Sequence, residues 1–278
     1  MSDTDRLTVR FWGVRGSTPT PDAGCLGVGG NTSCVELRTA AGDALILDAG
    51  TGIRGLGYAL AAEAGADPIS VDILFSHFHW DHLQGLPFFA PLYVSGNEIR
   101  CISAVDDDRL GDLLRGQMCF PYFPVPFGEL AASVETRRAR VGEPFDVGPF
   151  SVRAFPVSHP QGAHGFRIEY DGLVVVYATD YEHGDPVADE GLREVSRGAD
   201  LLISDAQFTP EEYALRQGWG HTTWQHATEL AASAGVGQLL LFHHDPSHDD
   251  ATMERIRDQA RERFGATDLA REGLEIRL

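Results

Sequence analysis

Four side chains that can bind a metal ion lie within six consecutive residues of this chain. The stretch is His77-Phe78-His79-Trp80-Asp81-His82. Residues 69–75 before it are β-branched and apolar, which indicates a buried strand. Residues two apart on a helix point to different sides, so His77 and His79 can share an ion only where the chain is extended or turning. The stretch therefore predicts a metal site on the loop that ends a strand, and it argues against a helix there.

Four donors so close in sequence would strain around one tetrahedral ion. We therefore expect His77 and His79 to bind one metal, and Asp81 and His82 to bind a second. Such a binuclear centre suits in-line displacement, because two ions can hold both the attacking and the leaving oxygen.

Composition predicts an ordinary globular protein. Apolar residues make up 43% of the 278 residues and charged residues 23%, which fits one large domain or two fused halves, and we take residues 1–278 as a single domain. No apolar run approaches the roughly 18 residues that span a bilayer. Residues 1–6 are polar and acidic, unlike a signal or transit peptide. We therefore expect a cytoplasmic protein without membrane contact.

The net charge limits the kinds of substrate that the chain can bind, and the cysteine spacing bears on the metal site. The net charge of −19 repels a long nucleic acid and favours a small substrate. The cysteines have no Cys-x-x-Cys spacing, so we expect reduced thiols that take no part in the metal site. They are Cys25, Cys34, Cys101 and Cys119.

The pattern of apolar residues predicts two sheets with helices packed outside, in the α/β class. Predicted strands cover residues 7–12, 34–37, 44–48, 69–75, 98–105, 133–140, 150–157, 166–170, 173–178, 201–204, 238–242 and 274–278. Predicted helices cover residues 53–64, 106–118, 187–197, 223–234 and 249–264. Asp171-Gly172 is a strong two-residue hairpin signal. Early meanders followed by alternating strands and helices favour this two-sheet arrangement.

Three further donors follow predicted strands, as His77 does. They are His159, Asp180 and His243. An aspartate can bridge two ions, since each of its two oxygens can bind one. The spacing does not decide between His243 and His244.

Two other features have alternative interpretations. Arg15 is either a contact for an anionic substrate or an ordinary surface arginine. Residues 119–127 combine three prolines with aromatic side chains, which forbids regular structure. The segment is either a lid over the substrate or a packed loop.

Taken in order, the donors from His77 to His243 resemble those of the metallo-β-lactamase fold hydrolases, over nearly the whole chain. Residues 199–206, residues 220–223 and the apolar strand before His243 resemble the ribonuclease Z and cyclic-nucleotide phosphodiesterase branch. Residues 11–17 and 29–33 resemble a bacterial subgroup of these hydrolases. The resemblance implies a four-layer αββα sandwich of two mixed β-sheets.

The resemblance also implies roles for individual residues. One ion would be held by His77, His79 and His159. The other would be held by Asp81, His82 and His243, with Asp180 bridging. A glutamate and a histidine that assist the leaving group in ribonuclease Z match Asp205 and His221, and aspartate has the shorter reach. The candidate catalytic residues are therefore Asp81, Asp205 and His221.

The expected function is hydrolysis of a small phosphodiester, such as a cyclic nucleotide, by water that two divalent ions activate. Zinc suits these ligands first, then manganese or iron. The sequence leaves open whether His221 donates a proton or caps the helix predicted from residue 223. The alternatives are tRNA 3′-end processing, for which no basic arm is evident, thioester, lactone or β-lactam hydrolysis, and a metal-bound sensor. Relatives of this kind often dimerise, so a homodimer is an expectation.

Overall fold

The computed structural model describes residues 6–105 and 110–278, which form two seven-stranded sheets with helices on their outer faces. The strands are β1 Leu7–Gly13, β2 Cys34–Thr39, β3 Ala44–Leu47, β4 Ser70–Phe75, β5 Glu98–Ser103, β6 Ser133–Arg138, β7 Pro144–Val147, β8 Phe150–Val157, β9 Ala163–Tyr170, β10 Leu173–Ala178, β11 Leu201–Asp205, β12 Gln238–Phe242, β13 Thr267–Leu269 and β14 Glu275–Arg277. The helices are α1 Ile53–Ala64, α2 Trp80–Leu83, α3 Leu110–Gln117, α4 Pro186–Ser196, α5 Pro210–Tyr213, α6 Trp224–Ala234 and α7 Asp250–Arg263.

Each sheet is antiparallel in one part and parallel in the other. The first sheet has the order β14-β1-β2-β3-β4-β5-β6, and the second has the order β13-β12-β11-β10-β9-β8-β7. Strands β3 to β6 are parallel to one another, and so are β10 to β13. Because parallel strands end at the same edge of a sheet, each sheet presents a row of strand ends and the loops that follow them.

Side-chain alternation along the strands explains the layers. In β3, Leu45 and Leu47 enter the core between the two sheets, whereas Ile46 enters a second core beneath α1. Buried residues of α6, such as Leu230 and Ala231, pack on the outer face of the second sheet. This period of two gives central strands such as β3 and β4 two buried faces. The αββα sandwich is therefore confirmed.

The observed elements differ from the predicted ones at a few places. Asp81 and His82 lie on α2, a single helical turn, so the prediction that no helix occurs there is wrong for these two residues. The short elements β7, α5 and β13 were not predicted. The start of the second predicted helix, at residues 106–109, lies outside the described residues. Among the described helices, none has the length and apolar character needed to cross a bilayer.

Candidate metal centre

The seven side chains that the sequence offers as ligands meet at one edge of the two sheets. Strands β4, β8, β10 and β12 are each followed within two residues by one of them, namely His77, His159, Asp180 and His243. His79 lies on the loop after β4, and α2 carries Asp81 and His82. The strand ends therefore collect donors that are up to 166 residues apart in sequence, from His77 to His243.

The donor atoms form two groups that share Asp180. Oδ1 of Asp180 lies 3.6 Å from His77 Nε2 and 3.8 Å from His159 Nε2. Its Oδ2 lies 3.1 Å from His82 Nε2 and 3.3 Å from His243 Nε2. Each carboxylate oxygen thus faces a different group, which is the arrangement of a bridging ligand.

His79 and Asp81 complete the two groups. His79 Nδ1 lies 3.2 Å from His159 Nε2, and Asp81 Oδ2 lies 3.1 Å from His243 Nε2. Within each group, all ligand atoms lie within 4.8 Å of one another. Atoms this close can surround a single ion at ordinary zinc–nitrogen and zinc–oxygen distances.

Hydrogen bonds behind the second group turn one nitrogen of each of two rings toward the centre. Nδ1 of His82 lies 2.9 Å from the Asp48 carboxylate, and Nδ1 of His243 lies 3.0 Å from Gln207 Oε1. Both partners are acceptors, so each Nδ1 donates to them and each Nε2 is the ring nitrogen that faces the centre. These two Nε2 atoms are only 3.3 Å apart. Both also lie 3.1–3.3 Å from carboxylate oxygens of Asp81 and Asp180, so these nitrogens and oxygens together would surround a cation.

The first group is arranged in the same way. The outer ring nitrogens face oxygen atoms: His77 Nδ1 is 3.1 Å from Ser76 Oγ, His159 Nδ1 is 2.9 Å from Gly220 O, and His79 Nε2 is 3.1 Å from Gln161 Oε1. Since Ser76 Oγ donates to Asp48, it accepts from His77. His77 Nε2 is buried and has no hydrogen-bond partner among the described residues. The donor set therefore fits metal ions.

Burial keeps two rings of the first group, His77 and His159, in the neutral form that binds metal. Burial lowers the pKa of His77 well below its usual value, and the neighbouring His82 ring lowers it further. Burial is also the main cause that lowers the pKa of His159. Neutral imidazole is the state that coordinates a metal ion.

Asp48 anchors the centre from behind, a role that was not predicted from the sequence. Its carboxylate accepts from Ser76 N at 2.8 Å, Ser76 Oγ at 2.8 Å, His82 Nδ1 at 2.9 Å and Tyr177 Oη at 2.8 Å. Asp48 is fully buried and follows β3 directly. An aspartate at the end of a parallel strand is the same signal that identified Asp180, so the sequence contained a clue to it.

Two further supporting residues come from loops. The backbone N–H of Ser17 donates to Asp81 Oδ2 at 2.7 Å. Gln207, which holds His243, is itself buried. Neither residue type nor spacing distinguishes these two in the sequence.

The backbone is strained around the centre. Among the described non-glycine residues, six have a positive φ, and four of these are Ser17, Asp48, Asp180 and His243. Such conformations are costly for L-residues and concentrate at functional sites. Side chains around the centre are also tightly packed, because a Cβ on Gly16 would lie 2.4 Å from His243 Nδ1.

His221 and Asp205 form a pair beside the centre. His221 Nδ1 lies 2.8 Å from Asp205 Oδ2. Burial by itself would lower the pKa of His221, but the Asp205 carboxylate outweighs it and raises the pKa to about 9. Thr223, whose Oγ1 accepts from His226 N, caps α6. His221 is therefore not the helix cap.

Two residues that the sequence left undecided point away from the centre. The Arg15 guanidinium is buried and donates to the carbonyls of Gly29 and His248, both at 2.7 Å. Arg15 thus joins two loops, and the interpretation as an anion contact is wrong, as is that of a surface arginine. His244 lies with Nε2 2.9 Å from Ala270 O, so His243 is the residue that faces the centre.

The centre opens into a cavity of about 390 Å³. Its lining combines donors with polar and aromatic side chains: Ser17, Phe78, His79, Trp80, Asp81, Asp180 and His221. The cavity is large enough for a small organic ester, because ligand sites in proteins typically measure about 300–1,000 Å³.

Comparisons with known proteins agree with this geometry. A family model described as a beta-lactamase superfamily domain matches residues 44–244. A ribonuclease Z of Methanopyrus kandleri is 29% identical over 98% of this chain and 98% of its own length. The metallo-beta-lactamase fold protein YhfI of Bacillus subtilis is 21% identical, with a TM-score of 0.74 over 98% of this chain and 99% of that one. A diphosphatase of the PhnP family is 20% identical, with a TM-score of 0.71 over 98% of both chains.

Proposed function

The chain belongs to the β-lactamase superfamily, and on this basis we propose that residues 1–278 form a single hydrolase domain that cleaves small phosphodiesters, such as cyclic nucleotides, with two divalent metal ions. The observation that carries the proposal is the pair of donor groups sharing Asp180, with five imidazoles that each offer one ring nitrogen to the centre. The names of two relatives, a ribonuclease Z and a diphosphatase, support chemistry at phosphorus.

We assign each donor to one of two ions. The first is held by His77, His79 and His159, the second by Asp81, His82 and His243, and both by Asp180. Imidazole and carboxylate ligands suit zinc first, then manganese or iron. When bound, such ions activate water and neutralise phosphate oxygens.

The remaining residues position the ligands and the leaving group. Ser17 holds Asp81 through its backbone N–H. The hydrogen bond from Asp205 fixes the His221 ring at the cavity wall. His221 Nε2 is then placed to donate a proton to the departing alkoxide, which is general acid catalysis.

The test is a metal analysis combined with a substrate screen. We expect protein purified with zinc or manganese to contain two ions per chain and to hydrolyse bis-p-nitrophenyl phosphate and at least one cyclic nucleotide. Asp180→Ala should lower kcat/KM by at least about 100-fold, because misplacing both ions disrupts the reacting geometry. Asp258→Ala, an exposed change on α7, is the control. No turnover, or undiminished turnover in Asp180→Ala, refutes the proposal.

A second candidate is tRNA 3′-end processing, which the ribonuclease Z relative favours because the match covers 98% of both chains. The net charge of −19 opposes it, since a long polyanion needs compensating basic side chains. Failure to trim a precursor tRNA at low salt, where electrostatic binding is strongest, would exclude this candidate.

A further inference from the structure

Glu182 is an acidic side chain beside the metal centre that belongs to neither donor group. It lies on the loop after β10, two residues beyond Asp180. Its backbone N–H donates to Ser158 O at 2.8 Å, and Ser158 directly precedes His159. The backbone of Glu182 is therefore fixed beside one ligand of the first group, although its carboxylate is not one of the seven donors.

The carboxylate of Glu182 holds the loop between α5 and α6. Its Oε1 accepts from Gly218 N at 2.6 Å, and its Oε2 accepts from Gly220 N at 2.7 Å. Tyr213 Oη lies 3.2 Å from the same Oε1. Hydrogen bonds to a carboxylate are stronger than those to a neutral acceptor. Both oxygens of Glu182 therefore tie down the backbone of residues 218–220.

The other side of this loop contacts His159. Gly220 O lies 2.9 Å from His159 Nδ1, and because a carbonyl only accepts, Nδ1 donates to it and Nε2 faces the centre. The backbone comes so close to the ring that a Cβ on Gly220 would lie 2.2 Å from Nδ1, and the φ of 89° also favours glycine. Gly220 thus links two side chains, since its N–H binds Glu182 and its carbonyl binds His159.

The same loop leads directly into His221. Thr222 N donates to Asp205 Oδ1 at 3.1 Å, and His221 Nδ1 donates to Asp205 Oδ2 at 2.8 Å. Residues 218–222 are therefore held by Glu182 at one end and by Asp205 at the other. The place of His221 at the cavity wall depends on both carboxylates.

We propose that Glu182 is a positioning residue of the metal centre. Acting through Gly220, it holds His159 on the first ion, and it keeps the following residue, His221, at the leaving group. The inference rests on the proposed function, because it takes the two ions and the general acid as assigned there. Loss of the Glu182 carboxylate should weaken binding of the first ion and spare the second, whose ligands this loop does not contact through Gly220.

Two substitutions remove the contact in steps. Glu182→Gln keeps one acceptor oxygen for two N–H groups, and Glu182→Ala removes both oxygens. Asp250→Asn is the matched control, because the two oxygens of Asp250 also accept from two loop N–H groups, those of Gly27 and Val28, at 2.8 and 2.9 Å. None of the seven donors lies in that loop. His79→Ala, which deletes a ligand of the first group, identifies which measured affinity belongs to the first ion.

The first measurement is stepwise zinc binding, followed by competition with a chelating dye. We expect Glu182→Ala to bind the first ion about 10- to 100-fold more weakly, the usual effect of losing the support behind a metal ligand, and Glu182→Gln to show a smaller loss. The second ion should bind as in the wild type, which also shows that the variant is folded. Asp250→Asn should match the wild type for both ions.

The second measurement is kcat with zinc or manganese in excess, so that both sites are filled. We expect Glu182→Ala to reduce kcat on a cyclic nucleotide by at least about 10-fold, which is part of the contribution of a general acid. Its kcat on bis-p-nitrophenyl phosphate should fall less, because p-nitrophenolate departs without a proton from His221.

The two proposals fail in different ways. If Glu182→Ala binds the first ion as the wild type does, or loses affinity for both ions by the same factor, the positioning role is refuted, whether or not phosphodiesters are hydrolysed. If only the first ion binds more weakly but the wild type hydrolyses no phosphodiester, the role of Glu182 at the metal is supported and the phosphodiesterase activity is refuted. An equal loss of kcat on both substrates refutes the part of the role that acts through His221.

Discussion

Replacing Asp48 with asparagine should weaken metal binding while leaving the fold intact. Asparagine has the size of aspartate and tolerates the positive φ of 60° at this position. Its amide has one acceptor oxygen in place of the two oxygens that now accept four hydrogen bonds. His82 Nδ1 then loses its charged acceptor, and the ring is free to place its proton on Nε2, which removes the lone pair that faces the centre.

Loss of such an outer hydrogen bond typically lowers metal affinity by about 10- to 100-fold, which corresponds to about 1.4–2.7 kcal/mol. Zinc affinity is measured by competition with a chelating dye, alongside thermal unfolding with and without zinc. Asp171→Asn is the control, because Asp171 also has a positive φ, of 48°, but lies at an exposed hairpin. A folded Asp48→Asn protein that binds zinc as the wild type does would contradict the role given to Asp48.

Two other substitutions test separate parts of the chain. His221→Gln should reduce kcat on a cyclic nucleotide by about 10²- to 10⁴-fold, the usual contribution of a general acid. The variant should affect hydrolysis of p-nitrophenyl esters far less, because their leaving group needs no proton. An equal loss of kcat on both substrates would assign His221 to binding. Burial lowers the pKa of His226 from 6.5 to about 4, and the nearby His183 ring contributes to this shift. Between these two pH values the unfolded chain therefore takes up a proton that the native chain does not. The free energy of unfolding consequently falls as the pH drops from about 6.5 to 4. Urea unfolding at pH 7 and pH 4.5 measures how much the free energy of unfolding falls between the two pH values. His226→Gln should reduce this fall by at most about 3 kcal/mol. If the fall is the same in the variant as in the wild type, the role given to His226 is refuted.

Long elements with regular apolar patterns were predicted well from the sequence. The bounds of α1, β8, β10 and β12 coincide with the predicted residues, because each is an apolar run with a clear turn or capping signal at its end. The missed elements are short: β7 and β13 have four and three residues. Such segments contain too few residues to establish a period, and pairing with a neighbouring strand determines their conformation.

The convergence of the donors could also be anticipated, although their role as ligands stays a prediction. His159, Asp180 and His243 each follow an apolar strand, and strand direction brings such ends together. Arg15 shows the limit of this reasoning. Its charge suggested a substrate contact or a place on the surface, but whether a guanidinium faces a cavity or backbone carbonyls depends on loops more than 200 residues away, including His248.

The residues that sequence reasoning missed share a physical reason. Asp48, Ser17 and Gln207 act through hydrogen bonds to Ser76, His82, Asp81 and His243, partners 28 to 64 residues away in the chain. Such a hydrogen bond does not produce a periodic sequence pattern, because the sequence alone does not show which partner a polar side chain contacts. Their geometry nevertheless decides the protonation of the ligands: the acceptor behind each imidazole fixes its tautomer, and the tautomer fixes whether a lone pair faces the centre. The donors are thus specified by residue type at strand ends, whereas the state in which they can bind a metal is specified by tertiary structure.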